Sequence, residues 1–240
     1  GRMLRNSISV MKRQREELNM PELPLYTFQE VRKMESRMLR MAYDRPRIFH
    51  SNGDELKVTF HQAGHVAGAA GIGLEYKGRK IFFSGDVLFT KQKTLPGARF
   101  PKGELDTLVL ETTRGVTERA KGVTRQKEVE RLFRSVEHIL SHGGSVLIPV
   151  FAFGRMQEIL SLANDARKEG RLRECPIYCS GLGMDLANYF DGISRKTGLL
   201  NFRRKILKDL RVKRLPKDLK PGVNPAENGL YIVSSGMLVA

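Results

Sequence analysis

His61-Gln62-Ala63-Gly64-His65-Val66-Ala67-Gly68-Ala69 is the stretch of this chain whose reading decides the rest. It follows residues 55–60, Glu-Leu-Lys-Val-Thr-Phe, whose apolar side chains alternate as in a half-buried strand. Two histidines four residues apart therefore lie on a Gly-rich loop at a strand end. Imidazole is a natural zinc ligand, and glycine lets a backbone turn tightly enough to bring a side chain onto a metal. Two loop histidines alone would suit a polar surface loop equally well.

Two carboxylates follow in comparable positions. Residues 72–76 and 79–83 read as strands joined by a turn at Lys77-Gly78, and the second runs into Ser84-Gly85-Asp86. Residues 107–111, Thr-Leu-Val-Leu-Glu, form an apolar strand ending on Glu111, followed by Thr112-Thr113-Arg114-Gly115. A carboxylate at a strand end can bind one metal or bridge two. Each of these acids, taken singly, is equally a turn residue; three strand-end groups in order say more than any one.

N-terminal to the histidine loop, residues 1–20 are basic, Met-rich and weakly helical, and Pro21 and Pro24 stop them. Thr27 and Glu30 form a capping box, and Val31, Met34, Met38 and Met41 recur at helical spacing. This predicts a helix of about 16 residues with the Met stripe packed in the core, closed by Pro46. Beyond Gly115 the pattern changes. Thr124 caps a helix with Val129, Leu132, Phe133, Val136 and Leu140 on its apolar side, and Gly143-Gly144 end it. A strand at 145–150, a helix at 154–168, a strand at 177–179, a short helix at 184–190 and a strand at 230–234 follow, with a basic, turn-rich segment at 192–228. Strand–helix alternation argues a parallel α/β unit. The expected division is residues 1–115 in one domain and 116–240 in another.

Composition narrows the partners. The 240 residues carry 42 Lys and Arg against 26 Asp and Glu, a net charge of +16. Such an excess fits a polyanion, RNA or single-stranded DNA, whose phosphates attract a basic surface. Residues 195–220 concentrate it, with Asp209 and Asp218 the only acids, so Arg203, Arg204 and Lys205 are candidate strand contacts. Cys175 and Cys179 would share one face of a strand too far apart to bond, which suggests buried thiols in a reducing compartment. No long apolar segment suggests a signal peptide or membrane span, and the expected location is intracellular, in cytoplasm or nucleus.

Taken together, His61–Ala69 resembles the H-x-A-G-H-x-x-G-[AS] motif of the metallo-β-lactamase fold, and Ser84-Gly85-Asp86 resembles the next motif in that order. Glu111 to Gly115 is similar to the E-S-T-x-G segment that opens the β-CASP branch, whose members process nucleic acids. That branch includes ribonuclease J and the cleavage subunit of the polyadenylation machinery. Ile148-Pro149-Val150-Phe151-Ala152-Phe153-Gly154-Arg155-Met156-Gln157-Glu158 resembles its P-x-F-A-x-G-R-x-Q-E motif, and Ser234-Ser235-Gly236-Met237-Leu238 its S-x-G-M-L motif. The resemblance implies an α/β architecture: part of an αβ/βα sandwich followed by a Rossmann-like β-CASP domain. It implies that His65 and Asp86 are zinc ligands, with Asp86 bridging two ions, and that Glu111 orients a catalytic group near the metals. His61 would be structural. Thr112 and Arg114 depart from the Ser and Tyr usual there. In the complete family enzyme two zinc ions hold a hydroxide that attacks phosphorus, and Arg155 is placed either in a basic cleft for the strand or in a salt bridge with an acid such as Glu158.

The family's H-x-H-x-D-H motif, which supplies most zinc ligands, is nowhere in the sequence and is expected before residue 1. The later β-CASP histidines are expected after Met237. His50 precedes a turn, and His138 and His142 suit C-terminal capping of a helix. The expectation is a zinc-dependent phosphodiester hydrolase acting on RNA, present as an incomplete chain that holds zinc weakly or not at all. Its partners would be RNA or single-stranded DNA, and either a second copy or a multiprotein RNA-processing complex. The rivals are a non-catalytic nucleic-acid-binding scaffold and a metallo-β-lactamase-type hydrolase of another substrate; the Phe-Gly-Arg-x-Gln-Glu segment disfavours the latter.

Overall fold

The alternation along residues 55–60 becomes the middle of a nine-residue strand in the computed structural model, which describes residues 1–118, 120–215 and 227–234. The chain divides into two units, residues 1–42 and 43–240.

The first unit is a pair of helices, α1 (Arg2–Glu17) and α2 (Phe28–Ser36). The capping box forms: the Glu30 amide donates to Thr27 Oγ1 at 3.2 Å and the Thr27 amide to the Glu30 carboxylate at 2.7 Å. Ile8, Met11 and Val31 are buried together, with Leu4, Leu23 and Tyr26 packed around them. The predicted helix is too long, because the chain leaves helical geometry after Ser36, with Arg37 as C-cap. Met38 and Met41 thus lose their phase with Val31. Of the expected stripe only Val31 is buried, while Met34 and Met38 are exposed.

The second unit holds two sheets. The first is β1 (Arg47–Ser51), β2 (Asp54–Gln62), β3 (Ala70–Tyr76), β4 (Arg79–Phe83) and β5 (Thr107–Val109), in that spatial order. Sequence reading missed β1, although its turn was visible: Asn52-Gly53 takes φ of 49° and 81°, the left-handed pair that suits a two-residue hairpin. The first four strands pair antiparallel and β5 joins β4 in parallel, Phe83 opposite Val109. That one parallel pairing positions the site, because the segments leaving β4 and β5 emerge at the same edge.

The second sheet is all parallel. It contains β6 (Val146–Val150), β7 (Ile177–Cys179), β8 (Lys213–Arg214) and β9 (Leu230–Ser234), in the order β6-β9-β7-β8. Its helices are α3 (Arg125–Ser141), α4 (Arg155–Lys168), α5 (Gly181–Thr197) and α6 (Lys205–Asp209). α5 is longer than the predicted 184–190, running to a left-handed Gly198 cap. Phe133, Val136, Met156, Leu160, Ile177, Leu230 and Ile232 make the core. Cys179 lies in it, and burial pushes its thiol up to about 12; Cys175 is half-buried beside Arg167, and neither cysteine is disulfide-bonded. The fold is α/β, as expected. Among the described residues no helix is long and apolar enough to cross a membrane.

Candidate functional site

The histidine loop is shaped by Gly64. Its φ is +70°, and a Cβ there would lie 2.4 Å from the Leu88 carbonyl oxygen, so no other residue fits without displacing backbone. The loop closes on itself through the Ala63 amide to Ala69 oxygen (3.0 Å). The chain beyond β4 crosses it through the Leu88 amide to Ala63 oxygen (2.9 Å) and a bridge between Gly64 and Val87. This crossing carries Asp86 past His65: His65 Nε2 and Asp86 Oδ2 stand 3.9 Å apart, with Asp86 largely in solvent.

Glu111 arrives from β5 at the same corner. Buried Ser84 ties the two segments together, its Oγ accepting from the Glu111 amide at 3.0 Å and donating to the Gly85 carbonyl at 2.7 Å. The Glu111 carboxylate accepts from the amides of Val87 (3.1 Å) and Thr113 (3.0 Å). A hydrogen bond from the Thr113 side chain, then these two amides, with His65 nearby, hold its carboxyl below the usual glutamate range. His65, Asp86 and Glu111, far apart in sequence, are thus neighbours.

His61 is engaged elsewhere. Its Nδ1 lies 2.9 Å from Asp44 Oδ1 and its ring packs on Phe82. His142 is the C-cap of α3, with Nδ1 2.7 Å from the His138 carbonyl. Arg155 donates through Nη1 to Gln92 Oε1 at 2.7 Å. The ion pair of buried Glu158 is with Arg125. Its carboxylate also accepts from the amides of Lys93 (2.7 Å) and Thr94 (2.8 Å) and from the Thr94 hydroxyl (2.6 Å). Gln157 caps its own helix by accepting from the Gly154 amide at 2.8 Å. Gln92 and Thr94 were not singled out from sequence, and no motif marks them; their significance comes from a contact more than sixty residues away.

Arg203, Arg204 and Lys205 are exposed at the start of α6. Arg203 reaches the hydroxyl of Ser194, and the Arg204 amide donates to Asp191 at 2.9 Å, which holds that carboxyl below its usual range. Lys217, Lys220 and the Ser235–Leu238 part of the C-terminal motif lie outside the described residues.

Among the described residues no three His, Cys, Asp or Glu side chains are placed to hold a metal ion between them. His65 and Asp86 offer two donors, and a zinc site takes three or four. The described residues therefore do not fit a complete zinc centre.

No family model matches the chain. Several curated proteins do. It is 38% identical over 128 residues to an "RNase J-like protein" of Methanocaldococcus jannaschii, covering 53% of this chain and 30% of that protein. It is 39% identical over 125 residues to "Endoribonuclease ysh-1" of Neurospora crassa, covering 51% and 14%. It is 29% identical over 231 residues to "Transcription termination factor FttA" of Pyrococcus abyssi, covering 90% and 34%. The chain thus spans about a third or less of the length of these relatives.

Proposed function

Because this chain belongs to the β-CASP branch of the metallo-β-lactamase-fold proteins, we propose that it is part of a zinc-dependent hydrolase of RNA phosphodiesters. The observation that carries the reading is the convergence of His65, Asp86 and Glu111 at one sheet edge, each delivered by a different strand end. His65 and Asp86 would be metal donors. Glu111, kept ionised by three hydrogen bonds, is an acceptor at neutral pH and so suits orienting a donor group beside them. The division into a domain of residues 1–115 and another of 116–240 belongs to the same proposal. So do a multiprotein RNA-processing setting, an intracellular location, and RNA contacts at Arg203, Arg204 and Lys205.

The test uses the polypeptide in which this segment occurs, a labelled RNA of about 20 nucleotides, long enough to span several phosphate contacts, and added zinc. The expected result is cleavage that Asp86→Asn and His65→Ala abolish while RNA binding persists. Cleavage that survives both substitutions would overturn the assignment of the site. Binding without cleavage by the unsubstituted polypeptide would favour the scaffold reading. For these 240 residues alone, metal analysis after dialysis should find less than one tightly held zinc per chain, since two donors fall short of a stable site.

A further inference from the structure

The loop between β4 and β5 contains a buried side-chain amide whose nitrogen and oxygen are both engaged. Gln92 is 3% exposed. Its Nε2 donates to the carbonyls of Gly64 (2.7 Å) and His65 (3.0 Å), and its Oε1 accepts from Arg155 Nη1 (2.7 Å). Chemistry fixes the orientation of this amide: two carbonyl oxygens can be served only by the nitrogen, and a guanidinium only by the oxygen. Gln92 therefore spans from α4 to the backbone of His65 itself.

The rest of the loop is held from the same side. Glu158 of α4 accepts from Lys93 and Thr94, and the Asn201 amide donates to the Thr94 carbonyl at 2.8 Å. Leu95 and Ala67 are buried with Ala187, Phe190, Leu200 and Phe202 of the second sheet's layer. A Cβ on Gly154, the residue preceding α4, would lie 2.9 Å from the side chain of Val66. Residues 92–95 are thus wedged between α4 and the histidine loop.

We propose that Gln92 is a positioning residue for His65, set in place from the second sheet's layer by Arg155. The two carbonyls it holds belong to the residue that gives the loop its left-handed turn and to the histidine, so Gln92 fixes the two peptides that aim the imidazole. Arg155 acts on the site through this amide, and the Arg-x-x-Glu spacing of α4 places two grips, one helical turn apart, on a single loop. The buried Gly64 carbonyl and the part-buried His65 carbonyl lose their donor if the amide is replaced, which makes the arrangement sensitive to the chemistry of residue 92 and not only to its volume.

The experiment is spectroscopic and needs neither metal nor activity, so its failure would leave the proposed function standing. His-ring-labelled chain is compared with its variants by NMR at one pH, alongside amide exchange of residues 64–66. Gln92→Glu keeps the size and the acceptor for Arg155 but presents oxygen to two carbonyls. It should move the His65 ring resonance by more than a linewidth and speed exchange at residues 64–66 about tenfold, the loss of roughly one net hydrogen bond. Arg155→Ala, at a half-buried position, leaves Gln92 in place and should move the same resonance in the same direction by less, with Arg155→Lys restoring part of it. Thr94→Val loosens the same loop without touching the Gln92 amide and should leave the His65 resonance where it was. An unmoved His65 resonance in folded Gln92→Glu, or in Arg155→Ala should the first variant fail to fold, would overturn the proposal. So would an equal displacement in Thr94→Val, which would reduce the contact to general packing.

Discussion

The two sheets of residues 43–240 bury their strands in different ways. Every residue of β7 and the first three of β9 are buried, as parallel strands are when helices cover both faces. In the first sheet every residue of β5 is exposed, as are four of the five in β1, and Ile48 and Leu108 stand half in solvent. Apolar burial is concentrated in the second sheet, while the histidine and carboxylates are at the ends of the first. The corner is held largely by directional bonds: Ser84 to the Glu111 amide, Gln92 to Gly64 and His65, Glu158 to Lys93 and Thr94. Rigidity at a site need not come from the site's own hydrophobic core.

That contrast can be broken by core truncation. Phe133, fully buried under the second sheet, should lose about 4 kcal/mol of unfolding free energy on substitution with Ala, through lost transfer energy and the cavity left behind. Leu108→Ala, at a 54% exposed position, should lose well under about 1 kcal/mol. Urea denaturation of both variants measures this, and comparable losses would mean that the first sheet carries as much of the stability as the second.

A smaller loss tests the polar junction. Glu158→Gln keeps an acceptor for only one of the Lys93 and Thr94 amides, which bond different carboxylate oxygens, turns an NH2 toward the other, and removes the charge facing Arg125. The expected cost is about 2 kcal/mol, the range for a hydrogen bond made by a charged group. Glu158→Ala should cost more, because it leaves the buried Thr94 amide and the part-buried Lys93 amide without a partner. Equal stability of the two variants would show that the acceptor geometry contributes nothing.

The contrast also decides what was legible in the sequence. The 3.6-residue periodicity of α3 could be read directly because that helix buries one face, Phe133, Val136 and Leu140; β2 was readable from its alternating residue types although the strand is half-buried along most of its length. β1 escaped because its burial pattern is almost wholly exposed, leaving no apolar alternation, and only Asn52-Gly53 announced it. The Met stripe misled because apolar spacing at Met38 and Met41 continues after the backbone has stopped being helical at Ser36. At the site, His65, Asp86 and Glu111 were visible as strand-end groups, since the turn glycines beside His65 and Asp86 and the apolar run into Glu111 are local. Gln92 was not visible, because its role depends on a guanidinium 63 residues away and nothing local distinguishes it from a surface glutamine.

The basic segment sharpens the comparison at its outer surface. Arg203, Arg204 and Lys205 are exposed beside the second sheet's layer, away from the half-open first sheet in sequence. Replacing all three with Ala should weaken binding of the labelled RNA about tenfold at moderate salt, equally for unrelated sequences. It should also flatten the salt dependence by about 0.7 log unit per lost contact for each log unit of salt. Unchanged affinity would move the RNA surface elsewhere. An intact chain that bound no RNA even at low salt would remove the nucleic-acid reading of this segment.

The smallest effect is a titration at the corner. Hydrogen bonds from Thr113 and the Val87 amide keep the Glu111 carboxyl below its ordinary range. A carboxylate whose pKa is depressed on folding contributes stability that is fully present above its unfolded value, about 4.3 for glutamate, and is lost as pH falls through the lower folded value. The Glu111 contribution should therefore be constant from neutrality down to about 5 and fall only below the ordinary glutamate range. The amide shifts of Val87 and Thr113, which donate to this carboxylate, should report the step, both moving together with the Glu111 side chain. Thr113→Val removes the side-chain hydroxyl and retains the backbone amide, so Glu111 should titrate closer to an ordinary glutamate while the Val87 contact persists. If Glu111 titrated in the ordinary range in the unsubstituted chain, the two segments leaving β4 and β5 would be joined at the site by Ser84 alone, and the carboxylate would not be part of what holds the corner together.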